Sequence, residues 1–497
     1  MNDDRTTAGD SRGLGRRRFI GGLGATAAVG LAGVSPTSAE SEIEGPTAEG
    51  PGEPVIYQYF HARWSDVEAD ADLLADAGVD AVWLPQPANF KLDVQHQATA
   101  EQEGFYEPEH PHYGHLQPHP PLGYQPVDLR EFDSPLGTEA ELRALIETLH
   151  DRGIEVVLDA VLNHMANPDP APADRWGDSD DPLETTVLDW PQFEVEEHFT
   201  EVPAFEYRNE GVFEDEQFDG SLLDLPNLNV RHPEVQAAHA DYLEKLSDVG
   251  ADGVRFDAAA HVWPWYFEDV VNPLCDELGL WRVGEVWRDT DEIEVFVDTG
   301  MDAFDFPFYY RLTEALETGD LAELHGEEDR GLVSRNPEAA VTFAQNHDTA
   351  GPGVGPDSPE GTAMDLANAV LLSYPGTAQL FRTTAGEDLE DPRIRELIWV
   401  KNNLASGELI DRHADSELYV YERAGNLLAG INVAAEPRTE TVETSWSGRQ
   451  PLCDFAGDGE TVRTDGNGDV EITIPGRDWV MYAPPGSPRE RGSSRRP

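Results

Sequence analysis

Short apolar runs alternate with amphipathic segments through most of the chain. The run Asp80–Leu84 (DAVWL) follows a helical pattern that ends at Gly78, and the run Ile154–Asp159 (IEVVLD) follows another that ends before Gly153. Apolar strands that alternate with helices favour a parallel sheet. The pattern contains eight strand–helix units and therefore predicts a closed (β/α)8 TIM barrel over residues 55–407. The strands are expected at residues 55–60, 80–84, 154–159, 251–257, 281–286, 301–306, 340–345 and 377–381.

Two parts of the chain depart from this alternation. Residues 165–232 are acidic, aromatic and rich in Pro, with little periodicity, which indicates a domain inserted after the third barrel strand. Residues 408–484 contain short strands separated by Gly and Asp turns, which predicts an antiparallel β-sandwich. The Pro/Ser/Arg-rich tail 485–497 is expected to be disordered. The sandwich strands are expected at Glu417–Tyr421, Leu427–Val433, Thr439–Trp446 and Val470–Ile474.

The N-terminus has the pattern of a targeting segment. Three Arg at 16–18 precede an apolar run rich in Gly and Ala, and small residues follow at 37–39. This predicts a twin-arginine-type signal peptide over residues 1–39, and hence a secreted protein, against the alternative of a chance basic start. Residues 40–54 are expected to be a linker. The apolar run is too short and too rich in Gly for a membrane span, so no membrane partner is expected.

The net charge narrows the class of protein further. Asp and Glu number 97 against 34 Lys and Arg, which gives a formal net charge of -63. The chain is nevertheless 39% hydrophobic with eleven Trp, which favours a packed core over disorder. A folded chain this acidic is typical of adaptation to high salt, which screens the self-repulsion. Nucleic acid is excluded as a partner, because phosphate binding needs a basic face.

The first candidate for chemistry is the fourth predicted strand and its end, Asp252–His261 (DGVRFDAAAH). Alternate residues of a strand share a face, so Arg255 and Asp257 are expected to point the same way. The Arg would then orient Asp257, lower its pKa and keep it ionised. An aimed carboxylate at the C-terminal end of a barrel strand is a candidate nucleophile. The alternative is a purely structural Arg–Asp pair.

Three other predicted strands also end in polar clusters. Because strand C-termini converge on one face of a barrel, Asp257, Glu285 and Asp348 are expected in one pocket. Glu285 follows an apolar strand and lies near other acids, so its pKa should be raised. For any one of these acids the alternative is a cap on the following helix. The three clusters are DAVLNH at 159–164, GEVW at 284–287 and FAQNHD at 343–348.

Taken in chain order, the four stretches resemble the signature regions of the α-amylase family of glycoside hydrolases, and specifically its haloarchaeal type. The stretch LPNLN at 225–229 resembles a shorter fifth region of the same family. The resemblance implies a barrel, a B domain inserted after strand three and a C-terminal β-sandwich. It also implies that Asp257 is the nucleophile, Glu285 the general acid/base and Asp348 the third catalytic carboxylate. Glycoside cleavage needs one ionised and one protonated carboxylate, which suits this division.

The same resemblance implies residues that bind substrate. Arg255 would orient the nucleophile, His164 and His347 would hydrogen-bond the sugar in the cleaved subsite, and Tyr124 would stack on its ring. Ala260 stands where the family often has a Lys that contacts sugar toward the reducing end, so the product pattern stays open. The full predicted set is Tyr124, His164, Arg255, His261, Trp287 and His347.

A structural calcium ion is also implied, with Asn163, Asp224, Asn227 and the backbone carbonyl of His261 as ligands. Asn227 stands where the family often has an acid, but an amide oxygen is also a calcium ligand. A second metal candidate is the His-rich loop 86–123, whose spacing matches no metal motif and which is favoured as a solvated loop. The two cysteines, Cys275 and Cys453, are far apart and are expected to be buried free thiols.

The sequence thus predicts a secreted, salt-adapted, monomeric α-amylase that cleaves α-1,4-glucosidic bonds within starch or glycogen, with retention of configuration. Two alternatives within the same family stay open: an exo-acting maltooligosaccharide-forming amylase and a glucanotransferase. A non-catalytic glucan-binding protein is an alternative of a different class, and the presence of three carboxylates argues against it.

Overall fold

The protein is described by a computed structural model. The predicted signal peptide, most of the linker, much of the segment 165–232 and the C-terminal tail lie outside the described residues, as does most of the His-rich loop. Those predictions stay predictions. The described residues are 52–60, 62–90, 123–134, 136–166, 190–201, 218–222, 225–326, 330–350, 359–381, 387–457 and 459–486.

Eight parallel strands close into a barrel in which each strand pairs with its neighbours in sequence, and the last pairs with the first. Nearly every strand residue is buried, as expected for a parallel sheet covered by helices. The TIM barrel prediction is confirmed. The predicted first, fifth, sixth and seventh strands run two residues too far. The strands are β1 Val55–Gln58, β2 Ala81–Leu84, β3 Glu155–Val161, β4 Gly253–Asp257, β5 Trp281–Gly284, β6 Asp302–Phe304, β7 Ala340–Phe343 and β8 Thr377–Phe381.

Helices follow each barrel strand and bury their apolar faces against it. Glu139–His150 shows the local reasons: Thr138 caps it together with Glu141, and Leu142 and Leu145 lie on the buried face. None of the described helices is long and apolar enough to cross a membrane. In barrel order the helices are Trp64–Ala69 with Ala71–Ala77, Glu139–His150, Pro233–Val249, Pro264–Tyr266 with Asn272–Leu278, Thr290–Val297, Phe306–Thr318, Thr362–Leu371 and Pro392–Asn403.

The C-terminal region forms two antiparallel sheets around their own apolar core. Half of its strands were missed by the hydrophobic pattern. The strand Asp478–Ala483 (DWVMYA) lies between two other strands and is buried on both faces, so it shows no alternation. The strands are β9 Leu409–Ala414, β10 Leu418–Arg423, β11 Leu427–Asn432, β12 Arg438–Glu443, β13 Pro451–Asp454, β14 Val462–Arg463, β15 Asp469–Ile474 and β16 Asp478–Ala483. The larger sheet has the order β9-β10-β11-β16-β13-β14, and β12 pairs with β15.

The two cysteines differ in environment. Cys275 is buried in the helix Asn272–Leu278, and burial raises the pKa of its thiol to about 12. Cys453 is a free thiol but only half-buried, so the prediction of two buried thiols is wrong for this residue. The reason is its place on β13, whose outer neighbour β14 is only two residues long.

A two-stranded ladder joins the inserted segment to the barrel. Phe199–Glu201 pairs with Asn227–Leu228, and Asn227 in turn bridges to His164 just beyond β3. The described ends of the insertion therefore lie at the C-terminal face of the barrel strands.

Candidate active site

Arg255 is the centre of the polar cluster at this face. It lies in the middle of β4 with its side chain 1% exposed. Its Nη1 donates to Asp159 at 2.9 Å and to Asp257 at 2.8 Å, and its Nη2 pairs with Glu285 at 2.9 Å. One guanidinium therefore holds three carboxylates from the ends of adjacent strands, and the predicted meeting of β3, β4 and β5 at one site is found in the structure.

Tyr124 closes one side of this cluster. Its hydroxyl donates to Asp159 at 2.7 Å and receives a hydrogen bond from Arg255 at 3.2 Å. Its ring stacks on His347, with centroids 5.3 Å apart and planes at 21°. Tyr124 is thus in the site, but its aromatic surface already contacts His347.

The third predicted acid, Asp348, is held by the neighbouring His347. Gln58 Nε2 donates to His347 Nδ1 at 2.6 Å, which leaves the ring hydrogen on Nε2, 3.1 Å from the Asp348 carboxylate. Burial raises the pKa of Asp348, but the interaction with His347 outweighs it, and the pKa is lowered. Asp348 is therefore ionised. Gln58, at the end of β1, was missed, although the same strand-end reasoning would have found it.

Ala258 follows Asp257 in a left-handed conformation, with φ 47° and ψ 35°. This conformation costs a residue with a side chain about 1–2 kcal/mol. It aims the Ala258 amide at Glu285, to which it donates at 2.8 Å. The backbone strain thus serves to orient a carboxylate, a role that no pattern of side chains predicts.

The protonation of Asp257 and Glu285 is shared. Burial raises the pKa of both, and Arg255 opposes the rise in both. The prediction for Glu285 is confirmed, whereas the predicted lowering for Asp257 is wrong. The reason is that burial outweighs the effect of Arg255, whose one positive charge is shared by Asp257, Glu285 and Asp159. The pair therefore retains a proton at a pH where isolated carboxyls are ionised.

Comparison with known proteins identifies the architecture around these carboxylates. The family model described as the α-amylase catalytic domain matches residues 67–382. The chain belongs to the α-amylase family. It is 27% identical to an α-amylase of Aeromonas hydrophila over 69% of this chain and 73% of that protein. It is 26% identical to an α-amylase of Bacillus licheniformis over 69% of this chain and 74% of that protein. The chain is thus a glycoside hydrolase of this family.

Solved structures agree on the fold. The α-amylase I of Eisenia fetida superposes with a TM-score of 0.65 at 17% identity and covers 88% of this chain and 98% of that one. A γ-cyclodextrin glucanotransferase of alkalophilic Bacillus clarkii superposes with a TM-score of 0.64 at 21% identity and covers 87% of this chain and 71% of that one.

The calcium ligands that the α-amylase family implies can be tested on three of the four predicted residues, since Asp224 lies outside the described part. The Asn163 side chain contacts Asn227 Oδ1 at 2.9 Å and the His261 carbonyl at 3.0 Å. Asn227 is fixed by its own amide, which donates to Thr200 at 2.6 Å. The cluster is thus assembled and buried beside the active site.

The neighbouring His164 decides which atoms face this cluster. Its Nε2 contacts the Tyr124 carbonyl at 2.9 Å and its Nδ1 faces the Asn163 amide at 3.2 Å. Burial lowers the pKa of His164 to about 4, so the ring is neutral and carries one N–H. That N–H lies on Nε2 and donates to the Tyr124 carbonyl. Nδ1 then carries no hydrogen and must accept a hydrogen bond. The Asn163 amide nitrogen donates this bond when the amide is rotated so that its nitrogen and oxygen exchange places. The oxygens of Asn163, Asn227 and His261 then converge, which fits a hard cation.

His164 contacts protein groups through both ring nitrogens, the Tyr124 carbonyl and the Asn163 amide, and so positions these two residues. Its predicted hydrogen bond to a sugar stays a prediction. His261 is buried next to His164, and its backbone carbonyl faces the amide cluster. Trp287 lies beyond Glu285, half-buried, and stacks on Phe306 at 4.7 Å. It is therefore beside the carboxylates and not among them.

Proposed function

We propose that this protein is an endo-acting α-amylase that hydrolyses α-1,4-glucosidic bonds in starch or glycogen with retention of configuration. The observation that carries the proposal is the arrangement in which Arg255 contacts Asp257 and Glu285 while His347 keeps Asp348 ionised. The names of its relatives from Aeromonas and Bacillus support the substrate.

The geometry suggests how the residues divide the work. In the proposed mechanism the proton that the carboxylate pair retains lies on Glu285, because the nucleophile must be ionised and the general acid protonated. Asp257 attacks the anomeric carbon while Glu285 protonates the leaving oxygen. Glu285 then removes a proton from water, which displaces Asp257. Asp348, ionised and fixed, stabilises the positive charge that develops on the sugar.

The acid/base role is tested by Glu285→Gln, which keeps the size and polarity of the side chain but cannot transfer a proton. We expect turnover of soluble starch to fall by several decades while maltooligosaccharide binding, measured by calorimetry, is retained. Glu268→Gln, on an exposed residue outside the site, is the control and should have normal activity. Near-normal turnover of Glu285→Gln would refute the role.

The stereochemistry tests the nucleophile separately. Two displacements at one carbon restore its configuration, so the first product should be the α-anomer, observed by proton NMR before mutarotation. Initial β-anomer would show that Asp257 is not the nucleophile.

Transfer to a second sugar is an alternative favoured by one specific similarity. A cyclomaltodextrin glucanotransferase of Geobacillus stearothermophilus is 23% identical over 74% of this chain, although this region is only 53% of that protein. Chromatography of the products from starch distinguishes the reactions: linear maltooligosaccharides support hydrolysis, and cyclic dextrins support transfer.

A bound calcium ion is part of the proposal. Asn163, Asn227, the His261 carbonyl and Asp224 would hold it as a structural ion that cross-links the insertion to β3 and β4. Chelation by EDTA should lower the melting temperature, and added calcium should restore it. In Asn227→Ala the melting temperature should no longer respond to EDTA or to added calcium. A wild-type melting temperature that is indifferent to EDTA would contradict the site.

We also propose that residues 1–39 direct export and are removed, and that the mature enzyme is an extracellular monomer. The twin-arginine pattern and the small residues at 37–39 support this. N-terminal sequencing of the exported protein should begin close to residue 40, and light scattering should give the mass of one chain.

A further inference from the structure

Two side-chain amides inside the barrel lead to the histidine that holds Asp348. Gln58 at the end of β1 and Gln379 in β8 are buried and lie on neighbouring strands. Gln379 Nε2 donates to the Gln345 carbonyl at 3.3 Å and to Gln58 Oε1 at 3.4 Å. Gln58 Nε2 in turn donates to His347 Nδ1 at 2.6 Å. We call these two side chains the Gln379–Gln58 relay.

The Gln345 carbonyl gives the relay its direction. A backbone carbonyl can only accept a hydrogen bond, so it requires the nitrogen of the Gln379 amide on its side. The second hydrogen of that nitrogen points at Gln58, whose oxygen therefore faces Gln379 and whose nitrogen faces His347. Rotating the Gln379 amide would place its oxygen against the carbonyl. The main chain thus decides which end of the Gln58 amide meets the ring.

The oxygen of Gln379 shows which end of this amide is used. Oε1 is buried and has no hydrogen-bond partner among the described residues. A buried acceptor without a partner destabilises the folded protein, and an apolar side chain of similar size would avoid that loss. The two contacts of the nitrogen are therefore what Gln379 contributes and an apolar residue cannot.

Three aromatic rings hold the plane of the His347 ring. The ring centroids of Phe60, Tyr124 and Trp83 lie 4.8, 5.3 and 5.6 Å from it. With the plane held, the property of the ring that can still vary is which of its nitrogens carries a hydrogen.

The carboxylates near His347 favour a second hydrogen on its ring. Asp348 lies 3.1 Å from Nε2, and Glu285 also interacts with the ring, while Arg255, which pairs with Glu285, opposes them. An adjacent carboxylate favours the charged form of a histidine. A positive ring would lower the pKa of Glu285, although a general acid has to keep its proton.

We infer that Gln379 is a positioning residue which, through Gln58, presents a hydrogen-bond donor to His347 Nδ1 and so leaves no place for a hydrogen on that nitrogen. The ring then stays neutral, with its one hydrogen on Nε2 toward Asp348. The consequence for turnover rests on the proposed function, whereas the place of the hydrogen does not.

NMR of the enzyme made with isotope-labelled histidine measures where the hydrogen lies, because ring nitrogens with and without a hydrogen have different shifts. The signals of His347 are those that His347→Asn removes. In the wild type at neutral pH, Nδ1 should carry no hydrogen. Gln379→Met keeps the length of the side chain but has no donor, so it should shift the Nδ1 signal toward that of a nitrogen with a hydrogen.

The pH profile is the second readout. Gln379→Met should move the alkaline limb of kcat/KM on a soluble maltooligosaccharide downward by about one pH unit, as expected for a unit charge within several ångströms of Glu285.

Asn402→Leu is the matched control. Asn402 is also a buried amide whose nitrogen donates to a backbone carbonyl, that of Gly78 at 2.8 Å, and whose oxygen has no partner in the described part of the chain. It lies beside the N-terminal end of β2, away from the carboxylates. Asn402→Leu should lower stability but change neither the Nδ1 signal nor the pH profile.

Gln58→Met removes the donor that contacts the ring directly, and it should change the Nδ1 signal in the same direction. Gln379→Leu replaces Gln379→Met if that variant does not fold. A bare Nδ1 in any of these variants, or a hydrogen on Nδ1 in the wild type, would overturn the inference. A wild-type enzyme that leaves starch intact would instead overturn the proposed function without altering the NMR result, so the two failures are distinguishable.

Discussion

At the scale of single residues, Arg255 determines how the buried carboxylates share their charge. The guanidinium contacts Asp159, Asp257 and Glu285 through a rigid fork that an ammonium group cannot reproduce. Its own pKa is raised: burial opposes the charge, and the surrounding carboxylates outweigh that effect. The total charge of the site thus depends on the geometry of the Arg255 side chain as well as on its positive charge.

The first prediction follows from this fork. Arg255→Lys keeps the charge but cannot contact three carboxylates, so we expect kcat to fall at least 100-fold, consistent with lost positioning, and the acidic limb of the pH profile to move upward. Arg412→Lys is the control, because Arg412 makes a two-bond contact with the buried Glu422 in the C-terminal sheet. It should lower stability without moving the pH profile. An unchanged profile in Arg255→Lys would contradict the proposed role.

The second prediction concerns the wild-type pH profile. Asp257 must be ionised to attack, and burial raises its pKa above the usual 3.8. Activity should therefore decline as the pH falls through a value above 3.8, measured as kcat/KM on a soluble maltooligosaccharide. Burial lowers the pKa of His164 to about 4, so this ring is neutral at higher pH and does not set a limb whose midpoint lies above that value. An acidic midpoint at or below the ordinary Asp value would show that Asp257 is not the group that titrates.

At the scale of elements, the short segment before β1 connects the barrel to the C-terminal region. The Glu53 carboxylate pairs with Lys401 of the last barrel helix at 2.8 Å and with Arg423 of β10. The Gly52 and Glu53 amides also donate to carbonyls of that helix. The Lys401 and Arg423 side chains are almost completely buried, so Glu53 neutralises charges that water cannot reach.

Glu53→Gln should therefore destabilise the protein by about 2–3 kcal/mol, because it leaves two buried cations with a neutral partner. Denaturant unfolding in high salt measures this. Glu417→Gln, which breaks a half-exposed pair with Arg438, is the control and should cost less than about 1 kcal/mol. Equal effects of the two substitutions would show that the segment does not join the two regions.

Lys401 adds a pH dependence of known sign. Burial lowers its pKa from 10.5 to about 8. Between these values the unfolded chain binds a proton that the folded chain does not, so the contribution of Lys401 to stability rises with pH over this window and is lost as the pH falls through about 8. The unfolding free energy of the wild type relative to Lys401→Met should rise from pH 8 to pH 10. A constant difference would contradict the lowered pKa.

At the scale of the whole molecule, negative charge dominates the response to salt. The first 39 residues carry five Arg and three Asp, so the chain without them has a charge of -65. In ~0.1 M salt the Debye length is ~10 Å, and neighbouring surface carboxylates repel one another. Repulsion of this kind destabilises the compact state.

The melting temperature should therefore fall steeply when KCl is lowered from molar concentration to ~0.1 M. Sucrose at matched osmolality is the control, because it changes water activity without screening charge, and it should not restore stability in full. A melting temperature that is the same at both salt concentrations would refute adaptation to high salt.

The sequence by itself determined the barrel and its site-bearing strands. Eight apolar runs alternate with helices, and four of their ends carry the acids. Both features are local in the chain, and barrel closure brings those ends together by geometry. Asp257 and Glu285 could be located from this rule alone. Burial of the pair near other acids was also sufficient to predict the raised pKa of Glu285.

Only the tertiary structure decided how the charges and amides are shared. The pKa of Asp257 depends on Arg255 being divided among three carboxylates, and the left-handed Ala258 and the His164–Asn163 contact depend on atoms from separate segments. β16 was likewise hidden because its place in the middle of a sheet removes the alternation that marks an exposed strand. Pairwise distances of a few ångströms control these properties, and sequence patterns carry no such distances.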